Sequence, residues 1–318
     1  VKYRKLGNTG LNVSILSFGA SSLGSVFHET DDAESIRTVH AAVDGGINYI
    51  DVSPYYGVTK AEKVLGQALT QISRDRFFLS SKAGRYGQDE FDFSEKRILQ
   101  SVDESLRRLQ TDYLDVLFLH DIEFVRFDRV AEEAFGALEK LKASGKIRFS
   151  GVSGLPLAVF EKALAHTELD AVLSYCHYSL NDTSLLRIVP DLNQRGVGLV
   201  NASPLSMGLL GSKHVPDWHP AAQEIKDVCR LADEFCYKQG ESLARLAIQF
   251  SVNNASIPTT LVSTADPANI VHNIQWIEEP IDGELLTQVL AILEPTHNKT
   301  WLSGLAEYNH EVSQGGIV

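Results

Sequence analysis

"DAESIRTVHAAVDGGINYIDVSPYYG" (Asp32–Gly57) joins two patterns of different period, and the join decides the fold. Up to Asp44 the apolar residues Ile36, Val39 and Val43 recur at helical spacing. Asp31 stands where the N-cap of that helix belongs, and Gly45–Gly46 where its C-cap belongs. The run that follows has strand length, ends on the carboxylate of Asp51, and is broken by Ser53-Pro54 before two adjacent tyrosines, Tyr55 and Tyr56. A helix that feeds a short apolar strand is half of a repeating unit.

The unit recurs along the whole chain. Eight runs of strand length, "VSILSFGA", "NYIDVS", "FFLSSKA", "YLDVLFLH", "IRFSGVS", "AVLSYCHY", "GLVNAS" and "TTLVST", alternate with amphipathic stretches such as "SEKRILQSVDESLRRL", with Ser94 as its N-cap. Eight strand–helix units in succession predict a closed parallel (β/α)8 TIM barrel. A doubly wound open sheet would carry GxGxxG after its first strand, and "SFGASSLGS" matches that poorly. No Pro-, Gly- or Ser-rich linker divides the 318 residues, so one domain over 1–318 is expected. Met207–Ala222 is read as a long loop after the seventh strand and a candidate lid, and "ILEPTHNKTWLSG" as a tail able to return over the barrel mouth.

A net charge of −12 with scattered Lys and Arg excludes nucleic acid as a partner, because phosphate binding needs a basic face. No stretch has the length of a membrane span and no signal peptide is recognisable. Cys176, Cys229 and Cys236 lack metal-ligand spacing, so no metal is expected, and their pattern fits a reducing, cytoplasmic setting.

Barrel chemistry sits at the C-terminal ends of the strands. The second run ends at Asp51, the third at Lys82, the fourth at His120 and the fifth at Ser153, with Tyr56 one short turn beyond Asp51. Singly, each has a bland reading: an N-cap, a solvated ammonium, a rim histidine. Together a carboxylate, a phenol, an ammonium and an imidazole form a proton-transfer set. An adjacent Lys⁺ lowers a tyrosine pKa, so Tyr56 is expected to titrate lower than a free phenol, with Asp51 holding Lys82 charged and His120 orienting a reacting oxygen.

"IDVSPYYG", "SSKAGR", "DVLFLHDIE", "FSGVSGLP", "LGNTGLNVSILSFGASSLG" and "ASPLSMGLL" resemble the signatures of the aldo-keto reductases over nearly the whole chain. Within that family "HDIEF", "LSYCHY" and "ILEPTHNKTWLSG" are most similar to the plant-type L-galactose dehydrogenases. The resemblance implies a nicotinamide cofactor, with Tyr56 in proton transfer beside Asp51, Lys82 and His120. It implies contacts to that cofactor from Ala20, Ser21, Asp51, Ser153, Gly154, Ser174, Ser203, Leu205, Gly208, Ser263, Thr264, Asp266, Asn269 and Asn273. Three positions depart from the family: Gly154 replaces an Asn, Leu173 or Ser174 stands for a Gln, and Ala202 replaces the aromatic that stacks on nicotinamide.

No Lys or Arg lies between Thr259 and Asn273, where NADP-using relatives neutralise the 2′-phosphate, and Asp266 adds a negative charge. NAD is therefore expected, unless a basic residue reaches in from another segment. The resulting expectation is NAD-dependent oxidation of an aldose, L-galactose or a similar sugar such as L-fucose, at C1 to the lactone, with Tyr56 as general base. Tyr55, Asp121, Glu123, His177 and Trp301 are expected, with His120, to contact the sugar. The alternatives are an NADPH-dependent carbonyl reductase and a non-catalytic accessory subunit of a potassium channel.

Overall fold

Two short strands, β1 (Tyr3–Lys5) and β2 (Asn12–Ser14), the second overlapping the start of the "VSILSFGA" run, open the chain as an antiparallel hairpin. The eight apolar runs then form β3 (Leu16–Gly19), β4 (Tyr49–Asp51), β5 (Phe78–Ala83), β6 (Leu114–Leu119), β7 (Ile147–Gly154), β8 (Ala171–Tyr175), β9 (Gly198–Ala202) and β10 (Thr259–Val262). These close into a barrel in sequence order, β10 pairing with β3, and each neighbouring pair is parallel. The computed structural model describes residues 1–26, 28–211 and 215–309.

The helices are α1 (Asp32–Asp44), α2 (Lys60–Leu69), α3 (Glu95–Leu109), α4 (Phe127–Arg129), α5 (Phe135–Ala143), α6 (Ala158–His166), α7 (Val189–Arg195), α8 (Gln223–Lys238), α9 (Leu243–Asn253), α10 (Pro267–Glu278) and α11 (Gly283–Leu293). The expected caps are in place. The Asp31 side chain accepts from Glu34 N at 2.8 Å and Ser94 from Arg97 N at 3.4 Å, each satisfying an amide that the first helical turn leaves free.

Strand alternation sorts the side chains into two layers. Tyr49, Val116, Phe118, Ala171, Leu173, Val200 and Leu261 point into the barrel and pack together. Their neighbours Ile50, Leu79, Leu117, Leu119, Val172 and Leu199 point outward to the helices. Leu6, Leu11 and Val13 of the hairpin join the inner cluster and close the barrel floor. Phe118 is fully buried there, and its truncation to Ala would cost about 3–5 kcal/mol in lost transfer energy and cavity.

A second apolar cluster lies outside the barrel. It unites Leu155, Cys176, Leu209 and Leu210 with Cys229 and Cys236 of α8 and with Trp301. The three cysteines are free and buried. This cluster pins the loop after β9, whose residues Ser212, Lys213 and His214 lie outside the described residues. His219 of that loop meets Trp301 edge-on at 5.0 Å between ring centroids. The tail then crosses the loop after β6: Ser303 Oγ donates to Glu123 Oε1 at 3.1 Å, and Leu305 N to the Glu123 carbonyl at 2.8 Å. It does return over the loops at the C-terminal end of the barrel.

Candidate active site

The inward parity that packs the interior also decides what reaches the mouth. One or two positions beyond the packed layer it delivers Asp51, Lys82, His120, Ser153 and Tyr175. Lys82 and Asp51 form a buried ion pair. The ammonium also donates to the Val52 carbonyl at 3.0 Å, and Asp51 Oδ1 accepts from Ser80 Oγ at 2.6 Å. Lys82 Nζ lies 4.9 Å from the centre of the Tyr56 ring. The rings of Tyr55, Tyr56 and His120 converge, His120 meeting each tyrosine at 5.8 Å and close to edge-on.

Tyr56 is held by a turn rather than a strand. Its amide donates to Ser53 O at 3.1 Å and its carbonyl accepts from Ala61 N at the start of α2. Gly57 has φ +60°, and a Cβ there would come within 2.0 Å of the Gly24 carbonyl. A Cβ on Gly24 would sit 2.7 Å from the Tyr56 carbonyl. The two glycines let the tyrosine turn seat directly on the 3₁₀ turn Ala20–Gly24.

The electrostatics correct one expectation. Burial pushes the Tyr56 phenol up to about 12, while Lys82 pulls it down and Asp51 and Asp121 push it further up. Lys82 acts in the expected direction, but low-dielectric surroundings outweigh it, so the hydroxyl carries its proton at neutral pH. Burial opposes the Lys82 ammonium too, yet Asp51 and Tyr56 hold its pKa above the ordinary value. Burial, then Lys82 and Arg85, keep His120 well below its ordinary range, so its ring is neutral.

Arg85, just past the end of β5, had no role assigned from the sequence. Its guanidinium lies 4.0 Å over the Tyr55 ring, with Nη1 donating to Asp121 Oδ2 at 2.6 Å and Nη2 to the Tyr55 hydroxyl at 3.2 Å. Tyr55 and Asp121, both expected at the sugar, are thus tied together beside His120. Burial raises the Asp121 pKa and Arg85 opposes that rise. Asp121 takes a left-handed φ of 51°, a conformation supported by its amide bond to Ser153 O at 3.0 Å.

Other expected contacts are placed differently. Glu123, expected at the sugar, is fully buried rather than open to the barrel mouth. It is sealed under the tail, Oε1 accepting from Leu155 N and Ser303 Oγ while Oε2 has no partner among the described residues. Burial and then Asp121 push its pKa up to about 8, so it is largely protonated at neutral pH. Gly154 accounts for this: a Cβ there would lie 2.7 Å from Glu123 Oε2, so the carboxyl fills the space an Asn would take. His177 is a buried support, its Nδ1 3.0 Å from both Asp182 Oδ2 and Ser184 Oγ. Trp301 anchors the tail against His219, as described above.

Among the cofactor candidates, Ser174 points away from the barrel interior, with its hydroxyl buried and unpartnered among the described residues. The mouth receives Tyr175 in its place, directly across from Ala202 in the β8–β9 register. Counting inward positions from Ala171 would have found it. Ser21 and Ser22 bind Ser263 Oγ at 2.9 and 2.8 Å, so the turn Ala20–Gly24 and the end of β10 form one rim. Ser203, Ser206, Met207 and Gly208 all have positive φ, which curls the segment after β9, Leu205 included, into a concave backbone loop. Thr264, Asp266 and Asn269 stand at the start of α10. Asp266 caps that helix by accepting from Ala268 N at 2.8 Å, Asn269 Nδ2 reaches Thr264 Oγ1 at 3.5 Å, and Asn273 is buried one turn on.

Comparison with known proteins agrees with this architecture. The model of the Aldo/keto reductase family matches residues 15–294. The chain is 45% identical to L-galactose dehydrogenase of Arabidopsis thaliana, over 96% of this chain and 98% of that protein. It is 34% identical to D-arabinose 1-dehydrogenase of Saccharomyces cerevisiae, over 92% and 95% of the two chains. The solved aldo-keto reductase AKR11C1 from Bacillus halodurans, in its holo form, superimposes with a TM-score of 0.79 at 27% identity, covering 97% of this chain and 99% of that one. A barrel with a phenol, an ammonium, a carboxylate and an imidazole at its mouth, matched along its length in this way, belongs to the aldo/keto reductase family.

Proposed function

We propose that this oxidoreductase is an NAD-dependent aldose 1-dehydrogenase, which oxidises L-galactose or a similar sugar such as L-fucose at C1 to its lactone. The observation that carries the reading is the buried Asp51–Lys82 pair beneath the Tyr56 ring, with His120 edge-on to the same ring. The first relatives support the substrate class, since both are named for oxidation of an aldose.

The residues present fit a nicotinamide dinucleotide. The curled backbone at Ser203–Gly208 suits a pyrophosphate. Among the described residues the Ser153 hydroxyl has only long contacts, 3.4 Å from Asp121 N and 3.5 Å to Leu119 O, which leaves it able to bind a carboxamide. Tyr175 offers an aromatic face where Ala202 does not. The start of α10 argues for NAD: a helix N-terminus attracts anions, but the Asp266 carboxylate already occupies it. A 2′-phosphate would meet that charge, whereas a ribose hydroxyl can donate to it.

The bound cofactor supplies the hydride acceptor. The chain supplies proton management. Asp51 keeps Lys82 charged, Lys82 stabilises the phenolate that forms when Tyr56 gives up its own proton to solvent, and that phenolate, the minor form at neutral pH, takes the C1 hydroxyl proton as the C1–H bond breaks. His120, neutral and fixed among aromatic edges, hydrogen-bonds the reacting oxygen, and Asp121 with Tyr55 accepts further sugar hydroxyls. A panel of aldoses with NAD⁺, followed by NADH absorbance, tests the reading. Turnover confined to aldoses whose ring configuration matches L-galactose supports it, and no turnover with any aldose refutes it.

A further inference from the structure

Ser53, in the turn between β4 and Tyr56, is fully buried and has no part in the mechanism above. Its Oγ lies 3.0 Å from His120 Nδ1 and accepts the Tyr55 amide at 3.1 Å. From these contacts we infer that Ser53 is a positioning residue that fixes His120 as the Nε2–H tautomer, so that the imidazole faces the reacting oxygen as a donor. The inference rests on the proposed aldose oxidation for its consequence, but not for its geometry.

Two independent contacts select the tautomer. A serine hydroxyl has one proton and two acceptor sites. The Tyr55 amide uses an acceptor site and cannot receive the Ser53 proton, so His120 Nδ1 is the acceptor within reach. Were Nδ1 protonated instead, the hydroxyl would receive two donors and its own proton would be stranded in a buried site. At the other end of the ring, Nε2 lies 3.5 Å from Asp121 Oδ2. A lone pair there would face a carboxylate that Arg85 holds in place, whereas an N–H is attracted to it. The charged groups around the ring are Lys82, Arg85 and Asp121, with the phenols of Tyr55 and Tyr56 at its edges.

The consequence is a division of labour. With Nε2 carrying the proton, His120 cannot accept one from the reacting oxygen, and the Tyr56 phenolate, formed after Tyr56 loses its own proton, is left as the acceptor of the C1 hydroxyl proton. His120 instead donates to a lone pair of the same oxygen, which turns the hydroxyl hydrogen away from the imidazole.

The test is a long-range ¹H–¹⁵N correlation on protein labelled with ¹⁵N-histidine at pH 7, with His120 assigned by its absence in His120→Asn. The expected spectrum shows a protonated Nε2 and a bare Nδ1. A protonated Nδ1, alone or with Nε2, overturns the inference. Ser53→Ala should give a mixture of tautomers and lower kcat about five- to tenfold, the effect of one buried hydrogen bond, with KM for NAD⁺ unchanged. Ser53→Thr, which keeps the hydroxyl, should restore both. A Ser53→Ala protein with a pure Nε2–H tautomer and undiminished kcat would also overturn it. The wild-type spectrum needs neither a variant nor turnover, so absence of aldose oxidation would sink the proposed function and leave the tautomer decided on its own.

Discussion

Replacing Asp51 by Asn leaves the shape of the site but removes the counter-charge of Lys82. The ammonium is buried, and it would retain the Val52 carbonyl at 3.0 Å and the face of the Tyr56 ring. Stranding one member of a buried ion pair costs about 3–5 kcal/mol, and two residual contacts put this site near the lower end, about 3 kcal/mol. Lys82→Met strands the Asp51 carboxylate, which keeps the Ser80 hydroxyl at 2.6 Å, so a similar loss of about 3 kcal/mol is expected. The double variant leaves no orphan charge and replaces the pair with neutral groups of similar volume. Its loss should stay at or below about 3 kcal/mol rather than reach the sum of about 6, a coupling of about 3 kcal/mol or more. Urea unfolding followed by the fluorescence of Trp218, Trp276 and Trp301 measures all four proteins at a common slope. Losses that add within about 0.5 kcal/mol would show that the two side chains do not act as a pair, and the argument for Lys82 beneath Tyr56 would fall with that.

Tyr56→Phe should lower kcat by about 10²–10⁴-fold while NAD⁺ still quenches tryptophan fluorescence, because only the proton acceptor is lost; near-normal turnover would remove Tyr56 from the mechanism. Glu123 gives a pH dependence of stability. Its folded pKa, about 8, lies above its unfolded value, so its contribution is full below about pH 4.5 and is lost as pH rises towards 8. The urea midpoint of wild type relative to Glu123→Gln should therefore fall between pH 5 and 8, by on the order of a few kcal/mol in stability, and parallel pH profiles would refute a protonated Glu123. Ser263→Arg combined with Asp266→Asn should raise the NADP⁺-to-NAD⁺ efficiency ratio at least about tenfold, the effect of one favourable charge contact. An unchanged ratio would show that the start of α10 does not read the ribose.

The barrel was legible because a parallel strand buried on both faces must be a short apolar run, and all eight runs became strands. The Asp51, Lys82 and His120 positions were legible for the same reason: a charge can end such a run only where the barrel opens. The hairpin β1–β2 was not: β1 is three residues of mixed polarity, and Val13–Ser14 of β2 merge into the run that continues as β3. Tyr175 is not found by family resemblance, which points to Leu173 or Ser174, whereas the period of two starting from Ala171 and Leu173 places Tyr175 inward. The burial of Glu123 depends on Ser303 and Leu305, some 180 residues away along the chain. No local pattern signals such a contact. The sign of the Tyr56 shift is not legible in the sequence, because Lys82 is visible there and dielectric surroundings are not.

The central claim is that this barrel oxidises an aldose with NAD. The direct measurement is kcat/KM for L-galactose with NAD⁺ and with NADP⁺, with the sugar product identified. The account predicts lactone formation and an efficiency with NAD⁺ at least about tenfold above that with NADP⁺, the effect of one unpaired or repelled charge. Equal efficiency with the two cofactors, or a product other than the lactone, would contradict it.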